Sequence, residues 1–178
     1  MTTPLTQEVL LDELGITCAI KAMAQAIMDK PSPHPLAIVG LLSQGDIIAK
    51  RLATEIQSLG GDALCASIDI SLYRDDIYKL EAKPSLRSSN LPFSTDDMRV
   101  VIVDDVLYTG RTIRAALNAI FDYGRPACIE LACLIDRGGR EVPIQPDYVG
   151  YVMEKPKAKI LVSLKEADGK DVVTLCNN

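Results

Sequence analysis

The sequence predicts an α/β domain in which a mainly parallel central sheet is flanked by helices. Three observations carry that prediction. Residues 36–42 (LAIVGLL), 99–105 (RVVIVDD) and 127–136 (ACIELACLID) are apolar runs without polar alternation, the pattern of strands covered on both faces. Segments with apolar residues at helical spacing separate them. The resulting order (strand, helix, strand, loop, strand, helix, strand) is that of crossover-connected parallel strands.

The elements follow in order. Residues 6–30 place Val9, Leu10, Leu14, Ile20, Met23, Ala24 and Ile27 in an approximately helical rhythm, predicting one helix with a break near Gly15 and an end at Pro31, Pro33 and Pro35. After the strand at 36–42 and the tetrapeptide Ser43-Gln44-Gly45-Asp46, a helix is expected over 47–59. Gly60-Gly61-Asp62 then turns the chain into a strand over 63–73. Residues 74–98 are polar, contain two prolines and lack periodicity; a segment of this length inside one domain predicts a flexible functional loop. A strand at 99–105, a helix at 112–123 stopped by Gly124, and a strand at 127–136 follow. A short strand is expected at 147–153, and two strand-like runs around Asp168-Gly169 read as a terminal hairpin.

Length and charge bound the function. At 178 residues without a long polar linker, residues 1–178 form one domain. Net charge is −5 and the isoelectric point about 4.9, so no chain-wide basic signature for nucleic acid is present, although 19 Lys and Arg leave room for a local basic face. The N-terminal residues lack a basic segment followed by an apolar core, and no apolar run approaches membrane-spanning length; a cytoplasmic protein without a membrane partner is expected. Five cysteines without a CxxC pair and a single histidine, His34, do not make a zinc site and fit reduced thiols.

Residues 99–112, RVVIVDDVLYTGRT, carry the chemistry. Asp104 and Asp105 fall at the carboxyl end of a buried strand, where ligands bind in open α/β sheets. Their carboxylates accept hydrogen bonds from vicinal hydroxyls, as in a ribose. Thr109, Gly110, Arg111 and Thr112 form a short loop entering a helix, where backbone N–H groups and the positive helix end favour a phosphate. Acid pairs and Thr-Gly turns are each common; the combination on one strand–loop–helix unit suits a single ligand bearing a ribose diol and a 5-phosphate.

This segment resembles the phosphoribosyl pyrophosphate (PRPP) motif of type I phosphoribosyltransferases. SIDISLYRDD (67–76), VVIVDDVLYTGRTIRAALNAIFDYGRPA (100–127), LIDRGGREVPIQPDYVG (134–150) and the terminal DGKDVV together resemble the bifunctional pyrimidine operon regulator/uracil phosphoribosyltransferase family, in the right order over most of residues 36–175. The resemblance implies a type I phosphoribosyltransferase fold and the reaction of uracil with PRPP to give UMP and pyrophosphate, with Mg²⁺ bridging substrate oxygens, helped by Asp104 or Asp105 and without an all-protein metal cage. It implies that Asp104 and Asp105 meet the ribose, Thr109 to Thr112 the 5-phosphate, Ser43, Gln44 and Gly45 the pyrophosphate, and Val106, Ile135, Asp136 and Arg137 the uracil. Arg74, beside Tyr73 and Asp75 at the start of the flexible loop, is expected to reach the pyrophosphate and act in catalysis. It further implies a homodimer or higher oligomer that senses UMP or UTP and binds a pyr mRNA leader; Lys21, Lys50, Arg51, Arg114, Arg125 and Arg140 are the basic candidates for RNA.

Two positions depart from the family pattern. Gln44 stands where the family has an arginine, and Asp46 adds a negative charge beside it; loss of one charge-assisted contact weakens binding by about 1.5–3 kcal/mol. Gly139 stands where the family has a histidine. Two functional classes therefore stay open at the level of sequence: a transferase that is also a regulator, and a regulatory nucleotide-binding protein with little or no transferase activity.

Overall fold

A computed structural model describes residues 7–71, 90–153 and 159–176. The elements are β1 (Gln7–Leu11), α1 (Glu13–Asp29), β2 (Leu36–Leu41), α2 (Gln44–Ser58), β3 (Ala63–Ile68), β4 (Arg99–Leu107), α3 (Arg111–Phe121), β5 (Cys128–Asp136), β6 (Tyr148–Val152), β7 (Lys159–Ser163), α4 (Lys165–Asp168) and β8 (Val172–Cys176). Five strands form one sheet in the order β3-β2-β4-β5-β6, with every neighbouring pair parallel. The predicted parallel α/β architecture is present.

The uninterrupted apolar runs have a direct cause. Along β4, Val101 and Val103 pack on one face with Ile20 of α1 and Ile48 and Leu52 of α2, while Val100 and Ile102 pack on the other with Ile113, Ala116 and Ile120 of α3. Both faces are dry, so polar alternation has no place. Parallel pairing brings the carboxyl ends of all five strands to one edge, and the N-termini of α2 and α3 follow directly from β2 and β4 at that edge.

Several boundaries differ from the sequence reading. The first segment is not a single helix: Gln7–Leu11 is a strand, and α1 starts at Glu13, with Asp12 capping it by accepting a hydrogen bond from the Gly15 amide at 2.8 Å. Val9-Leu10-Leu11 satisfies either period; β1 becomes a strand because β8, at the other end of the chain, pairs with it antiparallel. The terminal runs do pair antiparallel, with α4 inserted between them, and β1-β8-β7 form a second, three-stranded sheet. Helix α2 begins at Gln44, three residues earlier than expected, so Gln44, Gly45 and Asp46 form its first turn. Strand β3 stops at Ile68, and β4 extends to Leu107. Of the loop expected over 74–98, residues 74–89 lie outside the described residues; Asn90 pairs with Ser67 at the end of β3, and 91–98 run back to β4.

Opposite the carboxyl edge, a buried ionic cluster ties the sheet to α1. The Arg99 guanidinium donates to Glu130 Oε2 at 3.0 Å, to the Tyr148 hydroxyl at 2.8 Å and to the backbone carbonyls of Ile27 and Lys30. Lys30 adds an ion pair to the other Glu130 oxygen. Burial opposes the charge on Glu130, but hydrogen bonds from Lys30, Arg99 and Tyr148 outweigh it and hold the carboxyl below the usual range. A carboxyl lowered on folding contributes stability above its unfolded value near 4.5 and loses it as pH falls through the folded value. Glu130→Gln should therefore lower unfolding free energy at pH 7 by about 3–5 kcal/mol, because the Arg99 charge stays buried without its counter-charge. Urea titrations across pH 3–7 should also show a flatter acid limb in the variant than in the parent.

Candidate functional site at the carboxyl edge of the sheet

Three segments converge at the carboxyl edge. The first is the end of β4. Asp104 is buried, and one of its oxygens accepts a hydrogen bond from the Asp105 amide at 3.0 Å. Asp105 is half-buried and accepts from the Val106 amide at 2.9 Å. Burial, and then the adjacent Asp105 charge, push the Asp104 carboxyl well above the usual carboxylate range. Such a group is costly to keep charged without a ligand and favours a hydrogen-bonding partner that enters the site.

The second segment is the turn from β4 into α3. Gly110 holds the N-cap position, and Thr109 Oγ1 accepts a hydrogen bond from the Arg111 amide at 3.3 Å. Thr109, Gly110, Arg111 and Thr112 thus sit together around a helix start, the arrangement that favours an anion. Arg111 donates from Nε to Glu141 at 2.6 Å.

The third is the start of α2, where Ser43 precedes the helix without a side-chain capping bond and follows a cis peptide from Leu42. Gly45 is required here by close approach: a Cβ on it would lie 2.5 Å from the Val103 carbonyl oxygen and 3.2 Å from the Asp104 Cα. The first turn of α2 therefore rests directly on the end of β4, with Gln44 beside it. The Gln44 amide donates to Asp168 at 3.0 Å, and its carbonyl oxygen is buried without a hydrogen-bond partner. Asp46 is paired with Lys50 at 2.8 Å, so its charge is locally balanced.

Strand β5 forms the flank. Val106 lies opposite Ile135, and Leu107 opposite Asp136, in the β4–β5 register. The Asp136 carboxylate accepts from the Gly138 amide at 3.0 Å and from Arg140 at 2.8 Å, and its backbone carbonyl accepts from the Met153 amide at 2.7 Å. The Arg137 guanidinium lies over the Tyr108 ring, 4.0 Å from its centroid.

The structure thus gathers Ser43, Gln44, Gly45, Asp104, Asp105, Val106 and Thr109 to Thr112 at one edge, with Ile135, Asp136 and Arg137 beside them. Tyr73, Arg74 and Asp75 lie outside the described residues. Sequence reasoning missed Asp168, which meets Gln44 from 124 positions away and carries no local signal. It also missed the Arg140 contact with Asp136, which an (i, i+4) acid–base spacing signals. Several of the basic residues considered for RNA have internal partners: Arg51 bonds both Glu166 and Asp171, Lys50 pairs with Asp46, and Arg140 is bonded to Asp136 and only 13% exposed. Among the described residues, no three His, Cys, Asp or Glu side chains come together as a metal-ligand group, and no helix is long and apolar enough to cross a membrane.

Comparison with known proteins shows the family and the fold. Residues 6–167 match the family model described as phosphoribosyl transferase domain. The chain is 70% identical over 173 residues to a bifunctional protein PyrR of Akkermansia muciniphila, covering 97% of this chain and 98% of the relative. It is 44% identical to that of Clostridioides difficile over 93% of this chain and 96% of the relative. Among solved structures, a hypoxanthine phosphoribosyl transferase of Trypanosoma cruzi superposes with a TM-score of 0.74 at 20% identity, covering 99% of this chain and 94% of that one, which shows the shared fold.

The raised Asp104 carboxyl gives a test of sign. A carboxyl raised on folding opposes stability at pH values where it must be charged. Asp104→Asn should therefore raise the melting temperature at neutral pH by a few degrees, with that gain narrowing on acidification; calorimetry of both proteins across pH reads the effect.

Proposed function

The chain belongs to the phosphoribosyl transferase domain family and, within it, with the PyrR proteins, and on that premise we propose that it transfers the phosphoribosyl group of PRPP to uracil, giving UMP and pyrophosphate, and uses the same site to sense uridine nucleotides. The observation that carries the reading is the joint placement of Asp104, Asp105 and the Thr109–Thr112 turn at the carboxyl edge, one short strand–loop–helix unit that offers acceptors for a ribose diol and donors for its 5-phosphate.

In this reading the 5-phosphate sits on the amides and hydroxyls of residues 109–112, and the ribose hydroxyls donate to the acid pair. That fixes C1′ between the paired ends of β4 and β5, where Val106 and the Ile135–Arg137 segment hold uracil, and the start of α2, where the pyrophosphate leaves past Ser43, Gln44 and Gly45. The C1′–oxygen bond breaks, its electron pair leaving with pyrophosphate, as the C1′–N1 bond to uracil forms; the N1 proton passes to solvent or the departing pyrophosphate, and positive charge grows on the ribose in between. The acid pair lies beside that charge, so fixed electrostatics and positioning supply most of the acceleration. Two adjacent carboxylates, one of them half-buried, fit a Mg²⁺ that takes its other ligands from water and substrate; bound there, the ion would offset the charge of the leaving pyrophosphate. Arg74 is assigned to the pyrophosphate within the same reading.

The regulatory half of the proposal is a homodimeric or larger assembly whose affinity for a pyr mRNA leader changes with bound UMP or UTP, through the differential affinity of the nucleotide for two states. Lys21, Lys50, Arg114 and Arg125 carry the RNA contact in this reading. The neutral Gln44 favours a second reading, nucleotide binding with weak turnover, because an amide engaged with Asp168 brings no charge to the pyrophosphate.

A PRPP assay across nucleobases separates these outcomes. Pyrophosphate release should require uracil and Mg²⁺, and reaction with guanine or hypoxanthine in its place would reject the uracil assignment. Gln44→Arg should raise PRPP affinity about 10-fold or more, as expected for one added charge-assisted contact. An unchanged PRPP KM with high parental turnover would dismiss the second reading.

A further inference from the structure

The segment joining β5 to β6 is organised by one guanidinium. Arg140 donates from Nε to the Ile144 carbonyl at 2.9 Å, from one terminal nitrogen to the Tyr108 carbonyl at 2.9 Å, and from the other to Asp136 Oδ2 at 2.8 Å. These acceptors belong to three places: the return towards β6, the residue before the phosphate turn, and the end of the strand assigned to the nucleobase. Arg140 is largely buried among them. The chain reaches this position through Gly138 and Gly139, whose φ values of +69° and +77° lie in the left-handed region that residues with a Cβ rarely adopt. The departure at Gly139 therefore coincides with the turn that brings Arg140 back onto Asp136.

The same segment also grips the phosphate turn. The Thr109 carbonyl accepts from the Glu141 and Val142 amides at 2.9 and 3.2 Å, and Glu141 holds Arg111. Val142 packs where a Cβ on Gly110 would stand, 2.7 Å from its Cγ2. Residues 138–144 thus form a brace between the β5 end and the residue 109–112 turn, with Arg140 as its central connection.

We propose that Arg140 is a positioning residue that sets the distance between the nucleobase flank and the 5-phosphate turn. Resting on the function proposed above, this assigns to Arg140 the affinity for ligands that span both ends, with little effect on ligands that occupy only one. The guanidinium suits this role because its planar fork serves three acceptors in fixed directions, which a lysine ammonium on a flexible stem does not reproduce. A displacement of about 1 Å between reacting groups lowers rate by up to about 100-fold.

The experiment compares a spanning ligand with a half ligand. UMP and ribose 5-phosphate are titrated calorimetrically against the parent and Arg140→Lys. UMP affinity should fall at least about 10-fold in the variant while ribose 5-phosphate affinity stays within about 2-fold, and kcat/KM for uracil should fall more than the KM for PRPP rises. Equal losses for both ligands would show that Arg140 merely supports the phosphate turn, and unchanged UMP affinity would also overturn the proposal. Arg140→Gln provides the same comparison if the lysine variant loses its cooperative melt. Failure of the parent to bind UMP would instead reject the uridine reading. The comparison would then be made with whichever nucleoside monophosphate the parent binds, so the two failures remain distinct.

Discussion

The dry packing of β4 on both faces is the constraint from which the site follows. Between Val100 and Val103 a strand buried between α1 and α2 on one side and α3 on the other has no polar surface, so polar groups gather only at its ends. It emerges at the carboxyl edge, and there the chain places two consecutive carboxylates. Asp104 is still inside the packed region, which is why burial raises it so far. Gly45 lets the start of α2 rest against the same carbonyl edge, leaving little room for solvent to stabilise the charge. The site is therefore rigid on its β4 side and electrostatically strained until a hydrogen-bond donor arrives.

The second, antiparallel sheet matters because it is tied to the site by polar contacts. Arg51 of α2 holds Glu166 and Asp171, and its hydrogen bonds keep both carboxyls below their ordinary range. Lys165 reaches Glu13 at the start of α1, and Asp168 receives the Gln44 amide. The α4 region between β7 and β8 is thereby connected to the first turn of α2, which carries Gln44 at the carboxyl edge. Exposed ion pairs of this kind are individually weak, but Asp171 is nearly buried and bonded twice by one guanidinium, the geometry in which such a contact counts.

Legibility in the sequence tracked the distance between partners. Strands β2, β4 and β5, helix α3 and the acid pair with the turn at 109–112 are contiguous features, and each appears in local periodicity or composition. The sequence of β1 reads as helix because Val9-Leu10-Leu11 carries no local sign of a partner that lies more than 160 positions away. The early start of α2 was hidden because its first turn is polar and includes a glycine, so helical periodicity becomes visible only at Ile47. Gln44 was recognised as a departure in charge, yet its engagement with Asp168 depends on a sheet that only long-range pairing creates. The same holds for Arg140, whose (i, i+4) pairing with Asp136 is local but whose bond to Tyr108 is not.

The two departures from the family pattern differ in physical consequence. At Gly139 the missing side chain accompanies a left-handed turn that allows the following arginine to brace two strand ends, so the substitution has a structural counterpart in the same loop. At Gln44 the substitution leaves a buried carbonyl oxygen without a donor, an arrangement that costs about 1–3 kcal/mol unless something else meets it. A nearby group that donates hydrogen bonds would remove that cost, whereas a fully ionised pyrophosphate oxygen, which only accepts, would not. The amide can meet such an oxygen only through its N–H groups, and one of these already serves Asp168. In the proposed reading, engagement of pyrophosphate by this side chain is thus coupled to the contact that joins α2 to the α4 region beside the second sheet.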